Sequence, residues 1–475
     1  MKQKCYTQLY DKFTGIFINP FRNCFIISGV FIGAFLINSC EDFVEVELPS
    51  SQLNTEDVFT DKASAHAAMT AIYAQMRDGG VVSDLSYYLG LYSDELDLYG
   101  SGTTDAEKFY QNTLLPSDRK ISSWWQGAYF LIYSSNSIIE NIENATELSK
   151  EDIDQIHGEA LFVRPLLHYN LSLLYGPIPY VKNTDYKEYG QTLRSPESEI
   201  LDLVEQDLLE AISLLPVNYL NFDRTRPNKA VAMALLSRVY LNNKDWAKAE
   251  KMATAVIEQT NMYSWEDNLD NVFLKESKST LWQWYPKFDG NNTADGNLFI
   301  FTSVPPNNVA LTQSLIESFD TNDKRLSKWV RGVSNEENTW SHPFKYKEKG
   351  STQPTREYYI LFRLAELYLI RSEARTYLEN LGGAASDLNK VRQRAGLLPV
   401  ESIDKETLVN LIMLERQHEL FTESGHRFFD LKRSQSLDNE LLPLKSGWDT
   451  TDRLLPIPEE ELLLNSNLQP QNPGY

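Results

Sequence analysis

The stretch from Asn228 to Gln259, NKAVAMALLSRVYLNNKDWAKAEKMATAVIEQ, constrains the fold more than any other part of the chain. Small and large apolar residues recur at helical spacing through two segments separated by LNNKDW, so the spacing predicts a hairpin of two helices. Ala234, Tyr240, Ala249 and Ala253 fall at the close-packed positions of a tetratricopeptide unit. One such hairpin cannot bury its apolar face alone, so others must stack on it. Glu357 to Ala395 repeats the logic with LAELYLIRSEARTYL, a turn at Gly382 and Gly383, and AASDLNKVRQRA. Earlier, Asn54 to Met76, Ser123 to Ile142 and Ser149 to Tyr175 are helical by period, the last stopped by YGPIP. The expected class is mostly α: a platform of tetratricopeptide-type helical hairpins carrying an irregular, loop-rich insertion with few short strands.

The insertion is where the composition changes. From Trp265 to Thr355 the chain is rich in Gly, Pro, Asn, Asp and aromatic residues and loses its helical period. Loops of that length in a compact protein usually carry function, so the ligand is expected there. Cysteine narrows the chemistry further: Cys5, Cys24 and Cys40 are followed by none, so the body holds no disulfide framework, thiolate metal site or cysteine nucleophile. The formal charge is −21, from 45 basic and 66 acidic residues. Lys2, Lys4, Lys12 and Arg22 face only Asp11 before Cys40, so the body is more acidic still. Such a surface repels phosphate backbones, and nucleic acid is not the expected partner.

The first residues read as an export signal. Phe25 to Ile37 is an apolar run behind a basic segment, long enough for a signal-peptide core and too short to span a bilayer comfortably. Ile37-Asn38-Ser39-Cys40 resembles the bacterial lipobox, which implies cleavage before Cys40 and its lipidation. Acyl chains there, at roughly 0.8 kcal/mol per buried CH₂, would anchor the protein to a membrane without a spanning helix. Glu41, Asp42, Glu45 and Glu47 follow at once, and this acidic tail resembles the export signal of Bacteroidetes surface lipoproteins. The expected division is a signal peptide at 1–39, a lipidated acidic tether at 40–53, and an N-terminal helical part at 54–264. An insertion at 265–355 and a C-terminal helical part at 356–475 complete it.

Several stretches together resemble one family. GEALFVRPLLHYNLSLLYGPIPYV (Gly158 to Val181), ILFRLAELYLIRSEA (Ile360 to Ala374), LNKVRQRAGL (Leu388 to Leu397), LERQHELFTESGHRFFDLKR (Leu414 to Arg433) and LLPIPEEELLLNSNLQPQNPGY (Leu454 to Tyr475) are similar to the successive signatures of the SusD/RagB outer-membrane lipoproteins, as is CEDFVEVELP at Cys40. Pro165 and His168 stand where that family often has Ala and Phe, so Pro165 either begins a helical segment or kinks one. The resemblance implies four tetratricopeptide units and a binding surface on the insertion. It also implies a role without catalysis: capture of an oligosaccharide at the cell surface and delivery to a SusC-like TonB-dependent transporter. The RagB branch implies an alternative, capture of peptides by the same architecture. A scaffold that binds protein segments in its concave groove is a third reading.

Sugar recognition needs flat apolar faces for the C–H side of a pyranose and polar groups for its hydroxyls. The resemblance places part of the site after the SDE element, which singles out Tyr99 with Asp97 as its polar partner, while Asp94 and Glu95 hold the loop. Tyr87, Tyr88 and Tyr92 read as helix packing. In the insertion, TLWQWYPKF alternates, so Trp282 and Trp284 share one strand face and Gln283 and Tyr285 the other, one of the two being core. Trp284 or Tyr285 is therefore expected to be a stacking platform, with Trp340, and then Trp329, as further candidates. Asp289 to Asn297 spaces oxygen ligands as a calcium loop does but lacks its closing glutamate, so a structural calcium ion is a weaker expectation and no other cofactor is expected. Glu415, His418, Glu419, His426 and Asp430 crowd together without the zinc-protease order, and Arg416, Arg427 and Arg433 are available to pair with the acids, which favours a structural role.

Overall fold

The computed structural model describes residues 59, 61–100, 104–401 and 404–475. The signal segment, Cys40 and the acidic tether lie outside the described residues. Helix α1 (Lys62–Asp78) starts where Asp61 accepts hydrogen bonds from the backbone N–H groups of Ala63 and Ser64. It is followed by α2 (Leu85–Tyr92), α3 (Arg119–Ile142), α4 (Lys150–Tyr175) and α5 (Glu197–Leu214). Ser149 caps α4 by accepting from the Asp152 N–H. The hairpin expected at 228–259 is α6 (Lys229–Asn242) and α7 (Trp246–Ile257), capped by Asn228 and Asp245. Ala234, Tyr240, Ala249 and Ala253 are all buried in it. The second hairpin is α8 (Leu364–Tyr377) and α9 (Leu381–Arg394), and α10 (Lys405–Leu420) and α11 (His426–Arg433) follow.

From α3 to α7 each helix packs on the next in the chain, and α7 packs directly on α8, which in turn meets α9 and α10. Trp246 and Tyr377 stack across the α7–α8 seam at 4.1 Å and 7°, and Arg375 Nε donates to Glu250 Oε1 at 2.7 Å. The helical stack is thus continuous, although the whole loop-rich segment lies between α7 and α8 in sequence. Helix α4 runs through Pro165 as one element. His168, the other unusual residue there, is fully buried and stacks on Tyr180 at 3.9 Å. Its Nε2 accepts from the Val181 N–H at 3.1 Å, which leaves Nδ1 to donate to the Arg164 carbonyl at 3.0 Å. Burial pushes this imidazole down to about 3, so it is neutral.

Three two-stranded antiparallel sheets are formed by the described residues: β1 (Leu96–Leu98) with β3 (Val309–Leu311), β2 (Thr280–Trp284) with β6 (Tyr359–Arg363), and β4 (Val330–Ser334) with β5 (Thr339–Pro343). No helix among the described residues is long and apolar enough to cross a membrane.

The crowded C-terminal motif is an internal charge network. Arg416 pairs with Asp430 at 2.7 Å, Arg433 with Glu373 and Asp430, and Arg427 with Asp94 at 2.6 Å. Burial pushes His418 down to about 3 and His426 to about 4, so both are neutral packing groups near pH 7. Gly425 joins the network to the SDE segment: its φ is +68°, and a Cβ there would meet Leu89 Cδ1 of α2 at 2.5 Å. Arg427, two residues on, then reaches Asp94, while the Thr422 N–H donates to Glu95 Oε1 at 3.2 Å. Asp94 and Glu95 are both buried and engaged in holding this loop.

Candidate functional site

With Asp94 and Glu95 locked, β1 has a defined exit. It pairs Asp97 with Ala310 and Leu98 with Val309, and the Tyr99 N–H donates to the Asn308 carbonyl at 2.6 Å. Gly100 must follow, because its φ is +74° and a Cβ would lie 2.8 Å from the Asn307 carbonyl oxygen. Asp97 and Tyr99, two residues apart, share one side of the strand. β3 lies against β5, and Trp340 sits on β5 opposite Val333. The Tyr99 and Trp340 rings consequently meet almost at right angles, 88°, with centroids 6.5 Å apart. Both are half-buried, as is Asp97. The Tyr110 hydroxyl donates to Asp97 Oδ1 at 3.2 Å, and Lys445 Nζ lies 4.2 Å from the Tyr110 ring centre. Burial raises the Asp97 carboxyl above its ordinary range, and Tyr110 and Lys445 pull it back. Three of the five expected ligand residues therefore converge from segments far apart in the chain. They form a corner of two aromatic rings with a carboxylate beside it, able to take the apolar face of a sugar ring and accept from a hydroxyl.

The other two expected residues lie elsewhere, on the β2–β6 sheet. All five residues of β2 are buried, Trp284 with an exposure of 3%. β2 therefore has no open face for Trp284 to present, contrary to the expectation from alternation. Its pairing with β6 shifts register between Trp282 and Gln283, and the segment before α6 covers its other edge. There the Gln283 N–H donates to the Arg224 carbonyl, Gln283 Nε2 to the Asp223 carbonyl, and Trp282 Nε1 to the Thr225 carbonyl. Trp284 stacks on Tyr359 at 5.6 Å and meets Trp282 edge-on, so its ring is packing and not an open platform. Tyr285, the next residue, is 45% exposed. Trp329 is fully buried, its indole N–H donating to the Leu269 carbonyl, and so offers no platform either.

Tyr285 borders a cavity of about 320 Å³ lined also by Arg77, Lys287, Asn291, Asp295 and Tyr358. Of these, Arg77 and Tyr358 carried no signal in the sequence, because only tertiary contact brings them to Tyr285. Three side chains of the expected calcium loop are engaged by protein groups. Asn292 Oδ1 accepts from the Arg356 and Glu357 N–H groups, Thr293 Oγ1 caps a short helix at Gly296, and Asp295 accepts from the Ser86 hydroxyl at 3.3 Å. Burial pushes the Asp295 carboxyl up to about 7. Because this folded-state value lies above the unfolded one, the protonated form favours folding below about pH 4, and that stability is lost as pH rises through about 7. Asp295→Asn is expected to flatten stability against pH across that window and to melt above the parent at pH 8. Thermal melts of both proteins between pH 4 and 8 check this.

The chain matches two family models. One, described as starch-binding associating with outer membrane, covers residues 42–241, and one described as SusD family covers residues 330–475. Among curated relatives, SusD-like protein P2 of Formosa agariphila is 27% identical, over 92% of this chain and 97% of the relative. Among solved structures, a SusD superfamily protein from Bacteroides vulgatus superposes with a TM-score of 0.77 at 19% identity, over 87% of this chain and 99% of its own. Surface glycan-binding protein A from Bacteroides thetaiotaomicron, in complex with laminarihexaose, superposes with a TM-score of 0.73 at 17% identity, over 86% and 99%.

Proposed function

The chain belongs to the SusD/RagB family, and from that membership we propose that it is a cell-surface glycan-binding lipoprotein that captures oligosaccharides at the Tyr99–Trp340 corner. The observation that carries this reading is the perpendicular pair of half-buried rings with Asp97 beside it. A pyranose laid on one ring meets the other at its edge, and Asp97 accepts from a hydroxyl at the rim. The glycan then passes to a SusC-like TonB-dependent transporter for import, while lipid on Cys40 holds the protein at the outer membrane, facing outward. The family's description as associating with the outer membrane supports that location. Capture and release need neither a cofactor nor catalysis, so prolonged incubation with a bound glycan is expected to yield no shorter products.

Native affinity electrophoresis through gels containing plant, algal, fungal and host polysaccharides tests the reading. Laminarin comes first in the panel, given the laminarihexaose complex of the similar structure. Retardation by one polysaccharide is the expected result; retention of peptides and of no glycan would instead mark a RagB-type peptide carrier. Tyr99→Ala and Trp340→Ala are each expected to weaken glycan binding by about 2 kcal/mol, roughly thirty-fold, the scale of an aromatic anchor at the centre of a binding surface. Titration calorimetry with the retained glycan measures the loss, and an unchanged melting temperature confirms that it comes from the site.

A further inference from the structure

Helix α3 opens the run of packed helices, and the outer helix of a stack ordinarily turns a polar face to water. Here it does not. Gln126, Phe130 and Tyr133 stand at i, i+4 and i+7, so they share one face of α3, and both rings are open, Phe130 at 56% exposure and Tyr133 at 52%. They border a cavity of about 380 Å³ between α3, the segment that follows α4, and the short C-terminal helix Glu459–Leu464. Its floor is fixed: Tyr129 is buried, tilted on Trp125 at 5.1 Å, and its hydroxyl donates to the Pro179 carbonyl at 2.8 Å. After the YGPIP stop the chain returns to α3 at residues 181–185, and α3 pins it there. Asn136 Nδ2 donates to the Val181 and Asn183 carbonyls at 3.2 and 3.1 Å, and Glu140 accepts from the Thr184 N–H at 2.9 Å and from its hydroxyl at 2.5 Å.

A concave site of this size with aromatic walls suits a small molecule, whereas another protein chain needs a larger and flatter surface. The polar groups on the rim narrow the class. Gln126 commits Nε2 to Glu461 at 3.1 Å and Glu460 at 3.5 Å, which leaves its Oε1 to accept. The Thr184 hydroxyl donates to Glu140, so toward a ligand it too is an acceptor. Asp185 is exposed, its Oδ1 accepting from the Lys187 N–H at 2.9 Å. Among the described residues no lysine, arginine or histidine lines the cavity, so nothing there neutralises an anion. Aromatic faces under a rim of acceptors complement an uncharged sugar, whose C–H face is apolar and whose hydroxyls donate. We propose that this cavity is a second saccharide site, which takes an uncharged sugar unit with its ring against Phe130 and Tyr133 and its hydroxyls on Gln126 and Asp185. It rests on the glycan-binding reading above for its ligand class, and it shares no residue with the Tyr99–Trp340 corner.

Protein labelled with fluorotyrosine supplies the direct readout: the ¹⁹F resonance of Tyr133, identified by its absence from Tyr133→Phe. Laminarihexaose, cellohexaose and mannohexaose are the probes, with hexagalacturonate as the charged control. At least one uncharged probe is expected to move the resonance saturably, and hexagalacturonate at the same concentration to leave it in place. Phe130→Ala, at an exposed position, is expected to keep the melting temperature and to weaken that binding roughly tenfold, the scale of truncating an aromatic contact in a binding site. No movement with any uncharged probe, an equal movement with hexagalacturonate, or undiminished affinity in Phe130→Ala would each overturn the proposal. Tyr99→Ala combined with Trp340→Ala separates this cavity from the corner. A Tyr133 shift that survives the pair shows two independent sites, and one that vanishes with it shows that the cavity binds no sugar of its own. A Tyr133 shift in a parent that no polysaccharide gel retards would sink the corner and leave this site standing; retardation with an unmoved Tyr133 would do the reverse. Sedimentation velocity covers the protein alternative: a dimer that Phe130→Ala dissociates, with no sugar shift, would make this face a contact between copies and end the proposal.

Discussion

Glu419→Ala is expected to destabilise the protein by about 3–5 kcal/mol, the cost of removing one partner from a buried ion pair. Glu419 has no exposed surface, and its carboxylate accepts from Arg325 Nη1 at 3.1 Å and from Arg363 and Arg394. Two of the three guanidiniums keep other acids: Arg325 has Asp323 at 2.7 Å and Glu415 at 2.7 Å, and Arg363 has Glu423 at 2.7 Å. Arg394 keeps, among the described residues, no other acid, only the Glu266 carbonyl at 3.3 Å and the faces of Trp265 at 4.2 Å and Trp329 at 5.6 Å. The variant therefore buries an uncompensated cation, which costs far more than a lost surface contact. Burial by itself pushes the Glu419 carboxyl up, but Arg394, Arg363 and Arg325 outweigh it and hold it at about 2. Its folded-state value thus lies below the unfolded one, so its contribution is full above about pH 4.5 and fades as pH falls toward 2. Urea unfolding at pH 7 and pH 3 measures both effects. A loss below about 1 kcal/mol at pH 7 would mean that the guanidiniums find other partners.

Trp284→Ala and Tyr285→Ala, adjacent substitutions of large aromatic residues, are expected to part company in the same assay. Removing the Trp284 indole empties space against Trp282 and Tyr359 in a strand with no open face, and such truncations cost about 3–5 kcal/mol. Tyr285 is 45% exposed, and its removal is expected to change stability by no more than about 0.5 kcal/mol. Equal losses from the two would show that the Tyr285 ring is packed in solution; no loss from Trp284→Ala would show that β2 is open on one side after all.

The contrast between these neighbours shows why part of the candidate site was legible and part was not. Tyr99 and Asp97 stood out because they follow the SDE element, and the fold then set the Tyr99 ring against Trp340 and Asp97 against Tyr110. Trp284 and Tyr285 were judged by strand alternation, which assumes that one face of β2 is free and its pairing regular. Neither assumption holds, since Arg224 and its neighbours cover the other edge and the register slips at Gln283. Arg226 gave no signal either: an arginine beside α6 looks like any solvated cation until Glu159, from another helix, takes it into a buried ion pair.

What the sequence determined by itself was the platform. Helical period and small residues at the seams are local properties, and Ala234, Ala249 and Ala253 specify close packing wherever their hairpin is set. The absence of cysteine after Cys40 and the net charge of −21 likewise turned the expectation away from thiolate chemistry and phosphate backbones without any structure. What only the tertiary structure decided was which aromatic rings face outward and which charges are paired inside. Both depend on chain brought over from hundreds of residues away, Asp94 to Arg427 and Tyr99 to Trp340 among them, and no local spacing encodes those meetings.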